Sequence, residues 1–352
     1  MKAVITEPMG CRLKEQGFEP GSCLVEVGGR LEPACRATYM VKGGVPYRLI
    51  YSYAHKAPEC YLSIYQSGCN FSCRKCHSWR FTKHAVGEWM SPMDVAAVAA
   101  LYAELHGEKL YREPRERATS WHATSLCRAC GSCLVTGARS PLCPGALPPD
   151  MIVALDDGSF GPARNIVSFT GGDLACCVEF YVEATRLIKE RAPSLWVMFE
   201  TNGYGLTPQH LDALRDAGLD SIWLDIKALD EEVHRYLTGC SNKWILQLPG
   251  EILERGFVLE VSTVYIPGLV EEDQVRGIAE LLAQVDRDIP YTIIAFIPEH
   301  QLRHLRPPTL EEMLKAYYAA RDAGLRRVKL GNPGLFARTM EELEELAKLG
   351  AI

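Results

Sequence analysis

The sequence predicts an α/β protein in which helices surround a sheet of parallel strands. From Asn165 onward, short apolar runs that are typical of strands alternate with longer segments of helical periodicity, and such alternation requires parallel strands joined by crossover helices. The chain has 352 residues, of which 47% are hydrophobic, so it can bury one large core. The predicted strands span residues 61–65, 166–169, 196–199, 222–226, 258–264, 292–297 and 328–330.

Composition and charge exclude several classes of protein. The formal net charge of −6 argues against a general nucleic-acid-binding surface. No apolar run approaches the roughly 20 residues that a membrane helix needs, and Glu7 and Pro8 follow the first apolar residues too soon for a secretory signal. The 14 cysteines are grouped as in metal sites rather than spread as in a disulfide scaffold. We therefore expect a cytoplasmic protein without a membrane or nucleic-acid partner.

The first 58 residues predict a β-rich cap over one end of the main fold. Glycines alternate there with short apolar runs, which indicates short strands and turns. Cys11, Cys23 and Cys35 are too widely spaced for a local metal motif. A small metal site closed by Cys60 is one interpretation, and the one that we favour is packing of small buried residues.

Three cysteines follow the first predicted strand at the spacing CxxxCxxC. Cys69, Cys73 and Cys76 place three thiolates on one tight loop, which can hold three corners of a four-iron, four-sulfur cluster. The fourth iron is then left without a protein ligand. A zinc knuckle is the alternative, but its nearest fourth ligand, His77, follows Cys76 too closely to close a tetrahedron.

A polar, arginine-rich stretch at residues 108–163 delays the return strand, so we expect an insertion on the outside of the fold. Four cysteines within it resemble one half of a bacterial ferredoxin, although the gap before the last of them is longer than in ferredoxins. They can bind an auxiliary four-iron, four-sulfur cluster or a structural zinc ion. These predicted metal ligands are Cys127, Cys130, Cys133 and Cys143.

The second half of the chain contains the remaining α/β units. Cap chemistry marks helix starts at Ser91, Thr207, Thr309 and Thr339. Residues 303–352 add a further strand and helix after the sixth strand. Because the active sites of parallel barrels lie at the carboxyl ends of the strands, polar residues at those ends are the candidate site residues.

The segment Thr170-Gly171-Gly172-Asp173 follows the strand at 166–169. Together with the cysteine loop, it resembles the radical SAM superfamily, in which S-adenosylmethionine binds the open iron through its amino and carboxylate groups. The resemblance implies a partial (β/α)6 barrel over residues 59–302, open on one side to a large substrate, with a C-terminal α/β extension. It also implies a catalytic role for the cluster ligands Cys69, Cys73 and Cys76.

Further segments resemble the pyruvate formate-lyase activating enzyme branch of that superfamily. Glu200 to Asn202 and Asp225 to Lys227 match segments that line the S-adenosylmethionine pocket there, with a strand-end salt bridge as the alternative for Asp225 and Lys227. His300 matches a histidine near the ribose, and a structural histidine is the alternative. The implied cofactor-binding residues are Thr170, Gly171, Gly172, Asp173, Glu200, Asn202, Asp225, Lys227 and His300. The branch usually has glutamate at the position of Asp173.

The resemblance implies reductive cleavage of S-adenosylmethionine to a 5′-deoxyadenosyl radical that attacks a carbon of a protein or peptide, with ferredoxin or flavodoxin as electron donor. Our first hypothesis is a cobalamin-dependent C-methyltransferase for a glutamine of methyl-coenzyme M reductase, in anaerobic methanogenesis. The alternative is a glycyl-radical-enzyme activase, and a third is a non-enzymatic iron–sulfur or zinc protein. The first is favoured because the activase signature ahead of the cysteine loop is replaced by Glu59-Cys60-Tyr61-Leu62. The sequence shows no cobalamin site.

Overall fold

The computed structural model describes residues 10–352. The prediction that no secretory signal is present rests on Met1 to Pro8, which lie outside the described residues. The strands are β1 Leu24–Val27, β2 Arg30–Pro33, β3 Tyr39–Lys42, β4 Val45–Lys56, β5 Tyr61–Gln66, β6 Glu88–Met90, β7 Leu110–Tyr111, β8 Ile152–Ala154, β9 Phe160–Arg164, β10 Ile166–Gly171, β11 Trp196–Thr201, β12 Ser221–Asp225, β13 Val258–Tyr265, β14 Tyr291–Ala295 and β15 Val328–Gly331. The helices are α1 Arg12–Glu15, α2 Ala34–Ala37, α3 Trp79–Thr82, α4 Pro92–His106, α5 Ala123–Leu126, α6 Ser132–Val135, α7 Glu179–Arg191, α8 Pro208–Asp216, α9 Glu231–Thr238, α10 Leu248–Glu254, α11 Glu272–Val285, α12 Leu310–Asp322 and α13 Met340–Lys348.

The centre of the protein is a row of parallel strands in the order β5, β10, β11, β12, β13, β14 and β15. This confirms the predicted α/β class. The strands are rich in apolar residues and largely buried on both faces, as in β12, where Ile222 and Leu224 are inaccessible to solvent. In residues 10–352, no helix is both long enough and apolar enough to cross a membrane.

The sheet curves into a partial barrel. One cavity is bordered both by the loop after β5 and by Asn332, which directly follows β15. The two ends of the row of parallel strands therefore face the same interior. On its other side β5 pairs with β4, and β15 is the opposite edge, so the sheet is open as predicted.

The predicted helix starts are confirmed by their caps. The hydroxyl of Thr309 accepts the Glu312 N–H at 3.3 Å, and the Glu312 carboxylate accepts the Thr309 N–H at 2.7 Å, which completes a capping box. The same box begins α4 at Ser91 and α13 at Thr339. At the start of α8, the Thr207 hydroxyl accepts the N–H of His210.

Two of the four N-terminal strands, β3 and β4, are part of the main sheet, whereas β1 and β2 form a separate two-stranded sheet. β3 and β4 continue the sheet as antiparallel strands next to β5, so the predicted boundary at residue 58 falls between two paired strands. Arg48 of β4 is fully buried and donates hydrogen bonds to the carbonyls of Thr38 and Ser67. Ser67 precedes the cysteine loop, so the first strands support that loop directly.

The prediction that the insertion lies outside the fold is wrong for its first part, which closes the bottom of the barrel. Arg115 donates to the carbonyls of Asp220 and Gly256, just before β12 and β13 begin. The buried charge of Glu113 in the insertion is paired with that of Arg164, the residue directly after the insertion, and neither side chain is exposed to solvent.

Candidate active site

A cavity of about 450 Å³ opens at the carboxyl ends of the parallel strands. Most of the side chains predicted from the sequence to act there line it. These are Cys69, Cys73, Cys76, Thr170, Gly171, Asp173, Glu200, Asn202, Asp225 and Lys227. Gly172 and His300 are the predicted residues that do not line it.

The cysteine loop is fixed on both sides by backbone hydrogen bonds. The N–H of Asn70 donates to the carbonyl of Asp173 at 2.8 Å, which joins the loop to the Gly-Gly-Asp turn. The N–H groups of Ser72 and Arg74 donate to the carbonyls of Thr238 and Leu237 at the end of α9. The loop is therefore held between the turn after β10 and the end of α9, and its three thiols face the cavity.

The three thiols lie in an environment that suits a cationic metal cluster. They interact electrostatically with one another, and burial raises the pKa of Cys69 to about 11. The Cys69 sulfur accepts the N–H of Phe71 at 3.4 Å, and the Cys76 sulfur lies 3.2 Å from the hydroxyl oxygen of Thr82. Since buried thiolates repel one another, a bound iron–sulfur cluster would stabilise all three.

In residues 10–352, no group of three or more His, Cys, Asp or Glu side chains stands ready to hold a single metal ion. The ligands of a cluster bind separate iron atoms instead. Three soft thiolate donors on one loop are the ligand set that a four-iron, four-sulfur cluster with one open iron requires.

The two glycines allow the Gly-Gly-Asp turn to contact the cysteine loop. A Cβ atom on Gly172 would lie 2.0 Å from the carbonyl oxygen of Gly68. Gly171 has a φ of +85°, and a Cβ atom there would lie 2.8 Å from the Phe81 ring. The two glycines therefore bring two segments of the chain together.

Asp173 organises the loop after β11. One carboxylate oxygen accepts the Thr201 hydroxyl at 2.7 Å and the Asn202 N–H at 2.8 Å, and the other accepts the Ala175 N–H at 2.8 Å. Burial raises the pKa of Asp173. These three bonds use much of its hydrogen-bonding capacity, so its contact with an ammonium group stays a prediction.

Glu200 and Asn202 are held from neighbouring segments. The Glu200 carboxylate accepts hydrogen bonds from the hydroxyls of Ser168 at 2.7 Å and Thr170 at 2.5 Å, and burial raises its pKa. The Asn202 amide donates to the side-chain oxygen of Asn70 at 2.7 Å, so it ties β11 to the cysteine loop.

Asp225 and Lys227 form a short hydrogen-bonded ion pair inside the cavity, where their side chains are 28% and 13% exposed. Burial alone would raise the pKa of Asp225, but the ammonium groups of Lys227 and Lys75 hold it below its usual range. The second Asp225 carboxylate oxygen is buried and has no hydrogen-bond partner within residues 10–352. Carboxylate and ammonium groups side by side, with one oxygen unused, fit the zwitterionic end of an amino acid.

Lys75 is a cavity residue that the sequence analysis missed. It lies between two of the loop cysteines and lines the cavity beside Lys227, and burial lowers its pKa to about 8. Its position within the CxxxCxxC loop was the available signal, because every residue of so short a loop lies near the cluster.

His300 has contacts that match the structural alternative. It has a φ of +52°, and its ring stacks on Trp79 with centroids 5.3 Å apart. The Oε2 atom of the neighbouring Glu299 lies 2.6 Å from the Nδ1 atom of His77. Contact between His300 and a ribose stays a prediction.

The four insertion cysteines come together away from this cavity. Cys127 interacts electrostatically with Cys130, Cys133 and Cys143. The Cys127 sulfur accepts the N–H of Ala129 at 3.3 Å. The arrangement is compatible with a shared metal centre, and the identity of that metal stays a prediction.

Comparison with known proteins identifies the domain. The family described as "Radical SAM superfamily" matches residues 128–282, which include the Gly-Gly-Asp turn, Glu200 and the Asp225–Lys227 pair. The chain contains a radical SAM domain. This superfamily consists of enzymes, and its members use a four-iron, four-sulfur cluster and S-adenosylmethionine. The match begins after the Cys69–Cys76 loop, so the cluster-binding role of that loop rests on its position in the same cavity.

Several relatives are named as activating enzymes. A Methanocaldococcus jannaschii protein with the provisional name glycyl-radical enzyme activating enzyme is 36% identical over 138 residues, which are 38% of this chain and 51% of that protein. The 4-hydroxyphenylacetate decarboxylase activating enzyme of Clostridium scatologenes is 26% identical over 54% of this chain and 62% of its own. The chain thus spans about half to three fifths of the length of these relatives.

One similar solved structure is a domain of a pyruvate-formate lyase-activating enzyme from Bacteroides vulgatus. It is 20% identical, with a TM-score of 0.41, and the match covers 47% of this chain and 98% of that one.

Proposed function

We propose that this protein is a glycyl-radical-enzyme activase that uses S-adenosylmethionine to remove a hydrogen atom from a glycine of a partner protein. The observation that carries the proposal is that three loop thiols, the Gly-Gly-Asp turn and the Asp225–Lys227 pair line one cavity. The names of the relatives support the choice of an activase within the superfamily.

The residues of the cavity have separate tasks in this proposal. Cys69, Cys73 and Cys76 hold the cluster, and the Asp225–Lys227 pair orients the amino-acid end of S-adenosylmethionine. When bound, the cluster supplies one electron to the sulfonium, so that the cofactor provides the radical chemistry. An electron donor such as ferredoxin or flavodoxin supplies that electron to the protein.

The open side of the barrel supports a protein substrate. The sheet ends at β15 without closing onto β5, and the cavity extends to this gap. A peptide segment can therefore reach the cavity without unfolding the barrel. This is also what the names of the relatives describe, since an activating enzyme acts on another enzyme.

The hypothesis of cobalamin-dependent glutamine methylation in methyl-coenzyme M reductase receives no support from the comparisons. Several of the relatives that match are named as activating enzymes, and two others are named as FeMo cofactor biosynthesis proteins. The alternative that we derived from the sequence is therefore the one that we propose. The radical SAM domain also argues against the third hypothesis, a non-enzymatic metal protein.

The test is reductive cleavage in the presence of deuterated peptides. The full chain is reconstituted anaerobically with iron and sulfide and incubated with S-adenosylmethionine, dithionite and a peptide that carries either α-dideuterated glycine or deuterated glutamine. Deuterium in 5′-deoxyadenosine from the glycine peptide is the expected result. Deuterium from the glutamine peptide alone would contradict the proposal.

A matched pair of variants tests the cluster loop. We expect Cys69→Ser to abolish formation of 5′-deoxyadenosine, whereas Cys60→Ser, which changes a buried cysteine outside the cavity, retains it. Cleavage by the Cys69→Ser variant at the wild-type rate would show that the loop does not hold the catalytic cluster.

A further inference from the structure

A third group of cysteines comes together outside the active site and the insertion. Its members are far apart in sequence, and they are Cys11, Cys23, Cys35, Cys176 and Cys177. Cys11 precedes α1, Cys23 precedes β1, and Cys35 lies in α2. The other two lie in a short 3-10 turn that follows Asp173.

Hydrogen bonds hold the segments of this group against one another. The carbonyl of Cys23 accepts the N–H of Ala34 at 2.7 Å, so the segments of Cys23 and Cys35 are adjacent. Gln16, directly after α1, donates to the carbonyl of Cys176 at 3.1 Å. The helix that Cys11 precedes is therefore attached to the turn that holds Cys177.

A second set of contacts fixes α1 in this place. The Arg12 guanidinium pairs with Glu179 at the start of α7 at 2.6 Å, and it lies 5.3 Å from the centre of the Tyr39 ring in β3. The helix thus lies between the turn before α7 and the strand that follows α2. That turn carries Cys176 and Cys177, and α2, which precedes the strand, carries Cys35.

The thiols themselves interact. Cys35 interacts electrostatically with Cys11, Cys23 and Cys177, and burial raises its pKa to about 12. Cys177 is fully buried, whereas Cys11, Cys23 and Cys35 are half-buried and contact the hydrophobic core. Cys60 does not close this group as one reading of the sequence suggested, because its nearest charged neighbours are Arg164 and the insertion residue Cys127.

Cys177 is the member best prepared to act as a thiolate. A hydrogen bond from Cys176 lowers the pKa of Cys177, and the guanidinium groups of Arg12 and Arg48 lower it further. The guanidinium groups of Arg12 and Arg48 favour the thiolate form of the buried Cys177 sulfur, which is the form that binds a metal.

We infer that Cys11, Cys23, Cys35 and Cys177 form a further metal centre that takes a thiolate-preferring metal, either zinc or the iron of an iron–sulfur cluster. Sets of four cysteine thiolates bind both kinds of centre. In residues 10–352, the sulfur atoms of these four cysteines do not surround a single metal position, and those of the Cys69–Cys76 loop do not either. The inference is independent of the proposed activase function.

The first experiment measures the metal content of the full chain. The protein is reconstituted anaerobically with iron and sulfide or with zinc, then desalted and analysed for iron, acid-labile sulfide and zinc. Relative to the wild type, Cys35→Ser is expected to lose the complement of one centre, and Cys60→Ser to lose none. Loss of iron with sulfide supports a cluster at this site, and loss of zinc alone supports a zinc site.

The second experiment needs no variant, so it is decisive even if Cys35→Ser fails to fold. Wild-type protein is alkylated with iodoacetamide before and after metal loading, and each cysteine is followed by mass spectrometry. Loading is expected to slow alkylation of Cys11, Cys23 and Cys35 at least tenfold, and a chelator to restore it. Unchanged alkylation of these three after metal loading would overturn the inference.

Discussion

At the scale of single residues, the cavity is defined by buried charges that have one partner each. Asp225 is paired with Lys227 through one oxygen, while its other oxygen is buried without a partner in the described part of the chain. Lys75 adds a second ammonium group nearby. This excess of unused hydrogen-bonding capacity distinguishes a binding site from an ordinary salt bridge at a strand end, which was the alternative from the sequence.

The first prediction concerns Asp225→Asn. The change removes the carboxylate that interacts with both Lys227 and Lys75. Hydrogen bonds to charged groups are worth about 1.5–3 kcal/mol. We expect S-adenosylmethionine to bind about tenfold more weakly or worse to the reconstituted variant, measured by isothermal titration calorimetry. Asp212→Asn is the control, because Asp212 lies in an exposed ion pair. Equal affinity in Asp225→Asn and wild type would remove this residue from the site.

The second prediction concerns the buried Glu260 of β13, whose pKa burial raises to about 7. A carboxyl group with a pKa raised on folding stabilises the protein at low pH, and this contribution is lost as the pH rises through 7. Glu260→Gln keeps an oxygen to accept the Trp121 N–H but cannot ionise. The free energy of unfolding of the variant minus that of the wild type should therefore be larger at pH 8 than at pH 5, by on the order of 1–3 kcal/mol. Urea unfolding at both pH values measures this difference. An identical stability difference at both pH values would contradict the raised pKa.

At the scale of elements, the site depends on loops that contact one another at the strand ends. The turn after β10 and the loop after β5 touch so closely that Gly172 has no room for a side chain. The sequence predicted that both segments follow strands of one parallel sheet, which places them at the same edge. It could not predict how close they are, because that distance depends on the strand register and on the curvature of the sheet.

Gly172→Ala tests this contact and is the third prediction. The added Cβ atom would lie 2.0 Å from the Gly68 carbonyl oxygen, which is backbone and cannot rotate away. We expect the cysteine loop to shift and the reconstituted variant to lose most of the iron of the active-site cluster, measured by iron analysis and by electron paramagnetic resonance. Gly334→Ala is the matched control, since a Cβ atom there would meet nothing within 4 Å. Wild-type iron content in Gly172→Ala would show that the turn and the loop adjust independently.

At the scale of the whole molecule, the parallel strands were predicted within two residues at each end, because both of their faces are largely buried and their sequences are rich in apolar residues. The positions of β3 and β4 were not predicted, since short runs between glycines do not reveal the sheet edge that they join. The path of the insertion under the barrel was also missed. Its buried charges, such as Glu113 and Arg164, look like surface residues until their partners are known.

The last prediction tests whether the N-terminal strands and the active site form one unit. Arg48 is fully buried and donates to Thr38, Ser67 and Gln66, so it joins β4 both to the segment before β3 and to the residues that lead into the cysteine loop. Arg48→Met removes the side-chain donor from these buried acceptors. Each buried acceptor that is left unsatisfied costs about 1–3 kcal/mol.

We expect the Arg48→Met variant to unfold at a clearly lower urea concentration and to retain less iron after reconstitution, because the start of the cysteine loop loses its support. The control is Arg30→Met on the exposed strand β2, which should match wild type in both measurements. If Arg48→Met were less stable but kept its full iron content, the N-terminal strands would contribute to folding alone. Loss of both together would show that the strands before the barrel are part of the scaffold of the active site.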